Sequence, residues 1–280
     1  MELTFFNEIG TVKLCGGSGG GFNICNIEGL EPPQKVRNLQ SYIGEDGCVE
    51  NSSQYNQRVI TVSGDVLCGD GDALTLKQAA RIFSHKGILY VNSNSQKRKI
   101  AVDEANITIG KRYGSYCTFV MQFTCDYPHF SDIEKTETAI FKKINCLTSQ
   151  TRLPTVFTKR ITSGKIENIG DIKIYPIITV KKLTDTSTNS TIKVNNLTTG
   201  KSILFNKSLN KGEIVEINVK NRTVTSNYSG DVLSTLDRYY TLSDMWCERG
   251  INEISVTVDG ISQEGIEVLA TYENEYTEAI

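Results

Sequence analysis

The run Tyr116-Cys-Thr-Phe-Val-Met-Gln-Phe-Thr-Cys125 places an apolar residue at every second position: Cys117, Phe119, Met121, Phe123 and Cys125. The intervening set, Tyr116, Thr118, Val120, Gln122 and Thr124, is more polar. Side chains alternate between two faces only on an extended backbone, so the run predicts a strand with one face buried and one wet. Cys117 and Cys125 then lie about 26 Å apart along the strand, whereas a disulfide needs Cα atoms roughly 5.5–6 Å apart. They cannot bridge each other, and both read as small core hydrophobes.

Outward from this run the chain keeps the same character. Runs rich in Ile, Val, Thr, Tyr and Phe alternate with Gly, Asn, Asp and Ser clusters. They predict strands over Leu3–Phe6, Thr11–Cys15, Phe22–Ile27, Arg58–Val66, Ile88–Val91 and Lys97–Val102. A second series follows Pro154: Asp171–Lys182, Thr191–Val194, Ser202–Asn206, Glu213–Val219, Arg222–Ser226, Asn252–Val258 and Gly265–Tyr272. Regular spacing with turn residues between strands implies a sandwich or barrel. One helix interrupts the pattern. Between Asp72 and Gly87, Leu76, Ala80 and Phe83 recur at helical spacing with Ala79 and Ile82 alongside. Thr75 and Gln78 form a capping box, His85 and Lys86 occupy the last turn, and Gly87 suits a left-handed stop.

A chain of 280 residues is long enough for two domains. The expected division is an N-terminal domain over 1–135, a linker over 136–165 and a C-terminal domain over 166–280. Around the start of the linker, the capping box Ser131-Asp-Ile-Glu134 precedes Thr136–Ile144 and Ile133, Ile140 and Ile144 could mark a helix face, whereas the Thr-rich composition reads as connection.

Composition narrows the function. Thirty Lys+Arg against 32 Asp+Glu give a formal charge of −2, so no cationic excess is available for general binding to phosphate backbones. No apolar run approaches the roughly 20 residues a membrane span needs, so no membrane insertion is expected. Met1-Glu-Leu-Thr-Phe-Phe6 has neither the basic nor the apolar region of a secretory leader, so synthesis in cytosol is expected, and the Asn-x-Ser/Thr sequons at Asn51, Asn196 and Asn221 are expected to be incidental. The eight cysteines, at 15, 25, 48, 68, 117, 125, 146 and 247, include no C-x-x-C, and His85 and His129 lie at no zinc-ligand spacing. No metal and no cofactor is expected. Gly16–Gly21 lacks the strand–loop–helix setting of a phosphate cradle and reads as a flexible hairpin tip. No Gly-x-Ser-x-Gly elbow is present, and the two histidines have ordinary explanations, so no catalytic residue is assigned. Trp246, the single tryptophan, is the one candidate ligand-binding residue, as a sugar-stacking platform. The alternative is a core anchor.

The order of landmarks resembles the distal tail protein (Dit) family of long-tailed phages. In the first half these are Ile27-Glu-Gly-Leu-Glu-Pro-Pro33, Ile43-Gly-Glu-Asp-Gly47, Arg58-Val-Ile-Thr-Val-Ser-Gly64, the Leu74–Phe83 helix, Gly87-Ile-Leu-Tyr-Val91, Arg98-Lys-Ile100 and Asp126-Tyr-Pro-His-Phe130. In the second half they are Ile166-Glu-Asn-Ile-Gly-Asp171, Ile174-Tyr-Pro-Ile-Ile-Thr-Val180, Asn196-Leu-Thr-Thr-Gly200, Gly212-Glu-Ile-Val-Glu-Ile-Asn218 and Arg249-Gly-Ile-Asn-Glu-Ile254. The resemblance implies a mainly β protein: an N-terminal barrel- or sandwich-like domain with one α-helix, and a C-terminal galectin-like β-sandwich. It further implies a hexameric adaptor ring at the tail tip, between the tail tube protein and the tail-tip hub, with receptor-binding protein at the periphery. The location is the virion, after assembly in the host cytoplasm. DNA would pass through the central channel without specific binding. The competing functions are a carbohydrate-binding module, using the C-terminal sandwich and Trp246 for attachment to a host surface, and a glycan-cleaving tail enzyme.

Overall fold

The computed structural model describes residues 1–15, 21–44, 46–67, 73–93, 96–145, 158–184, 189–259 and 265–279. The chain divides into two compact units, Met1–Ile133 together with Tyr276–Ile280, and Glu134–Glu275.

The first unit contains β1 (Glu2–Phe6), β2 (Thr11–Cys15), β3 (Phe22–Glu28), β4 (Lys35–Gln40), β5 (Val49–Tyr55), β6 (Arg58–Leu67), α1 (Ala73–Phe83), β7 (Gly87–Asn92), β8 (Lys97–Val102), β9 (Glu104–Tyr113), β10 (Tyr116–Cys125) and β11 (Phe130–Asp132). Its main sheet runs β11-β8-β7-β1-β2-β3-β6-β10-β9, with the short strand Glu275–Tyr276 beyond β11, while β4 and β5 form a separate hairpin. The two halves of the main sheet meet at β2 and β3, joined by a single parallel pairing, Cys15 with Asn23. At this thin joint the sheet folds over, because Phe5 on β1 stacks on Phe123 of β10 with centroids 5.6 Å apart although three strands lie between them. Phe83 of α1 completes the cluster, 5.2 Å from Phe5 and 5.7 Å from Phe123. Of the two architectures expected here the sandwich is found. Among the described residues the outer strands, Glu275–Tyr276 and β9, do not pair, so no barrel closes.

Strand β10 alternates as its sequence demands, with Cys117, Phe119, Met121, Phe123 and Cys125 all buried. Cys125 is a free thiol, pushed up to about 12 by burial. Cys117 is disulfide-bonded, though not to Cys125, so its expected role as a plain core hydrophobe is incomplete. Gly64, midway along β6, has a main-chain role: a Cβ there would sit 1.9 Å from the Asn23 carbonyl oxygen of β3, just where β3 bulges between Ile24 and Asn26.

The helix differs from expectation in its details. Ala79, Ile82 and Phe83 form the buried stripe, the i, i+3, i+4 set, whereas Ala80 is exposed. The side chain of Thr75, on which the capping box depends, lies outside the described residues, as does most of the Gly16–Gly21 patch. Gly87 does not take a left-handed conformation. It opens β7, where a Cβ would lie 2.5 Å from the Phe5 ring and 2.6 Å from the Phe6 carbonyl. Steric room for the aromatic cluster, not helix termination, requires glycine at this position.

The second unit contains β12 (Thr136–Asn145), β13 (Thr158–Ile161), β14 (Ser163–Asn168), β15 (Ile177–Lys182), β16 (Asn189–Asn196), β17 (Lys201–Ser208), β18 (Ile214–Asn218), β19 (Thr223–Ser226), β20 (Gly230–Asp231), β21 (Gly250–Asp259) and β22 (Ile266–Tyr272). One sheet runs β13-β12-β22-β15-β18-β19-β20 and the other β14-β21-β16-β17. They share one core: Ile178, Val180, Val215, Ile217 and Val268 from the first, and Ile166, Ile192, Val194, Phe205, Ile254 and Val256 from the second. Two antiparallel sheets closed on a common apolar layer make a β-sandwich.

The segment 136–165 is therefore no linker. It supplies β12, β13 and the start of β14, and no helix forms in its described part. Pairing of β12 with β22 shifts register between Ala139 and Phe141, so Ile140 and Phe141 are both buried. That bulge breaks the period of two and leaves Ile133, Ile140 and Ile144 at a spacing that mimics a helix. The predicted strand Asp171–Lys182 shortens to Ile177–Lys182.

Glu213, fully buried, anchors the turn that leads into β18. Burial by itself would raise its pKa, but the Asn210 main-chain N–H and the side chains of Lys207 and Ser226 hydrogen-bond the carboxylate and hold it below the usual range. A depressed folded-state pKa stabilises the fold above the unfolded value and loses that contribution as pH falls through the folded one. Chemical denaturation between pH 7 and pH 3 should show the wild type losing stability on acidification more steeply than Glu213→Gln, whose curve should be flatter and start lower.

Candidate assembly surface

In β4 and β5 alternation gives no guide, because nearly every side chain is exposed. Only Tyr55, at the root, is half-buried. Lys35 pairs with Tyr55, and the ladder runs out to Gln40 opposite Val49 with a bulge between Asn38 and Leu39. The hairpin and its tip carry Val36, Leu39, Tyr42, Ile43 and Val49 in the open, Ile43 with no cover at all. A solitary two-stranded hairpin is at best marginally stable in water, so this one depends on what holds its root and on what covers its faces.

The root is held by stacked rings. Lys35 Nζ lies 4.9 Å over the Tyr55 ring, Tyr55 meets His129 edge-on at 5.1 Å, and His129 meets Tyr127 at 5.2 Å. The loop Asp126-Tyr-Pro-His-Phe130 thereby becomes a bracket for the hairpin.

Beside the bracket sits Arg58, the first residue of β6 and only 3% exposed. Its guanidinium donates to four main-chain carbonyls: Nε to Pro128 at 2.7 Å, one terminal nitrogen to Gly29 at 2.7 Å and Glu31 at 2.8 Å, and the other to Thr277 at 2.6 Å. Its plane lies 4.6 Å over Phe130. Desolvation lowers its pKa to about 10, with the Glu31 charge opposing, so it stays cationic at neutral pH. A second arginine, Arg98, lies 3.8 Å over the Tyr276 ring and donates to the Glu278 carbonyl. Ala279 N–H donates to the Leu30 carbonyl at 3.1 Å. Sequence reading assigned no role to either arginine or to 276–279. Their partners are main-chain atoms, which leave no pattern in residue type.

Trp246 is half-buried in the second unit. Lys173 Nζ stands 4.8 Å over its ring, and its carbonyl accepts a hydrogen bond from Asn196 Nδ2 at 2.9 Å. One face of the ring is thus shared with an ammonium. A nearby cavity of about 170 Å³ is lined by Lys135, Tyr175, Lys220, Tyr272 and Glu275, and Lys220 and Glu275 pair across it at 2.7 Å. The sequon at Asn196 is 1% exposed, its side-chain oxygen accepting from the N–H groups of Thr198 and Thr199. Among the described residues no cluster of His, Cys, Asp and Glu is arranged to hold a metal ion, and no helix is long and apolar enough to cross a membrane.

Residues 169–276 match the family of siphovirus-type tail component C-terminal domains, SPP1_Dit. The whole chain has the fold of the SPP1 Dit protein (gp 19.1), whose crystal structure is described as a paradigm of the hub adsorption apparatus in phages infecting Gram-positive hosts. The two agree over 90% of this chain and 92% of that one, with a TM-score of 0.64 at 10% identity. A chain of the phage P2 baseplate in its activated conformation with Ca is also similar, over 96% of this chain and 97% of that one, with a TM-score of 0.51 at 12% identity. No curated protein sequence matches. The resemblance read from the landmarks is borne out: this is the distal tail protein fold, carrying a siphovirus-type tail component domain.

Replacing Arg58 by Met should leave four carbonyls short of donors and cost on the order of 3 kcal/mol. Hydrogen exchange should register the loss in β6 and β10, with β15 and β22 unchanged.

Proposed function

We propose that this chain is a structural protein of a phage tail tip, and that its N-terminal unit closes a hexameric ring joining the tail tube to the tail-tip hub. The observation that carries the proposal is the exposed hairpin β4–β5, rooted firmly on a unit of distal tail fold while its apolar residues stay largely exposed among the described residues. A ring is a head-to-tail assembly in which each copy offers two different complementary patches. A hairpin reaching out from one copy supplies one such patch. The second unit, a galectin-like sandwich on this reading, lies at the periphery where receptor-binding components attach. The protein catalyses no reaction. DNA crosses the channel past neutral or acidic walls, since cationic walls would retain it by counterion release.

Light scattering on the purified protein should give a discrete hexamer mass, and negative-stain images should show rings. Val36→Asp combined with Leu39→Asp should shift the population toward monomer without lowering thermal stability. A monomer at all accessible concentrations, with the same mass in the double variant, would overturn the ring. The assembled ring should leave the electrophoretic mobility of duplex DNA unchanged at low salt; a salt-sensitive retardation would contradict the channel proposed here.

A further inference from the structure

The first unit is not continuous in sequence: it is completed by residues 276–279 after the whole of Glu134–Glu275 has intervened. These residues do more than lie on a surface. Ala279 is fully buried and Tyr276 is 9% exposed, and both belong to the core of the first unit. The carbonyl of Thr277 takes one end of Arg58, the ring of Tyr276 and the carbonyl of Glu278 take Arg98, and Ala279 N–H takes the carbonyl of Leu30. Through Arg58 and the Leu30 carbonyl, two of these contacts bear on the stretch that leads into β4, while those with Arg98 tie the segment to β8. Gly29, Leu30 and Glu31 are the residues from which the hairpin departs.

We infer that 276–279 is a strap that sets the hairpin root, so that the first unit becomes competent to assemble only when the strap has been synthesised and docked. Before that moment two desolvated cations lack part of what neutralises them, and the Leu30 carbonyl lacks its donor. The loop 29–31 is then free to move, and the hairpin has no fixed direction. Because the strap follows the second unit in the chain, partly made chains cannot present a correctly set hairpin. This device suits a protein whose unfinished copies would otherwise enter a ring and block its closure. The consequence for assembly rests on the ring proposal; the strap itself does not.

The test is hydrogen exchange on three proteins: the chain 1–280, a chain ending at Glu275, and Tyr276→Ser, which keeps the main chain but removes the ring beneath Arg98. Amides of Gly29–Glu31 and of the 126–129 loop should exchange at least about tenfold faster in both variants, the loss expected from one or two hydrogen bonds. Strands β15, β18 and β22 should be unchanged, and a synthetic peptide of residues 276–280 should restore protection to the shortened chain. Unchanged protection at 29–31 in the shortened chain would overturn the strap, as would loosening of the second unit to the same degree. A shortened chain that forms rings like the wild type would overturn the coupling to assembly. Strap-dependent protection in a wild type that never assembles would sink the ring and leave the strap standing.

Discussion

The first unit is organised around a charge with no carboxylate hydrogen-bonded to it. Arg58 is almost wholly out of water, and what makes its burial tolerable is a ring of main-chain carbonyls from Gly29, Glu31, Pro128 and Thr277, with Phe130 beneath. Carbonyl dipoles neutralise a cation only while they all point at it, so the arrangement fixes three separate stretches of chain at once. These are the lead into the hairpin, the loop that brackets the hairpin through His129, and the returning segment 276–279. Assembly through the hairpin requires its direction to be defined, and this constraint defines it.

The second unit solves its turns by a related device, with buried amides in place of a buried cation. Asn168 donates to the Ile172 carbonyl and accepts from Gly170 N–H, while Ile169 N–H reaches Asn274 and Asp171 N–H reaches Glu275. Asn196 closes its own turn and reaches Trp246. Asn252 accepts from Glu248 N–H and returns a bond to the Glu248 carbonyl. Each lies within one of the landmark stretches that carried the resemblance. A buried asparagine satisfies both donors and acceptors of a tight turn, and an apolar residue of the same size would leave several main-chain groups bare. The sheets need only alternation, while the corners need particular side chains.

Legibility from sequence followed burial. Strands with one dry face, such as β10, β6 and β21, announced themselves by alternation. Strands β4 and β5 did not, because both of their faces are wet in a single chain and nothing selects residue type by side. Much of β9 escaped for the same reason, being an exposed edge beyond Ile107. The bulge in β12 disguised a strand as a connection. The segment 276–279 acts mainly through main-chain atoms, so its part in the first unit was invisible. Trp246 was singled out because it is rare, yet Lys173 shows it embedded in a local stack. The surface on which the proposed assembly rests was thus the least legible, because exposure to water on both faces selects no pattern of residue type.

The central claim is that the hairpin 35–55 is built to be covered by a neighbouring copy. A cryo-electron-microscopy map of the assembled protein tests it most directly. The account predicts Val36, Leu39, Tyr42 and Ile43 buried against an adjacent protomer, with Arg58 still gripping its carbonyls at the root. A ring in which those four side chains face solvent in every copy would contradict it.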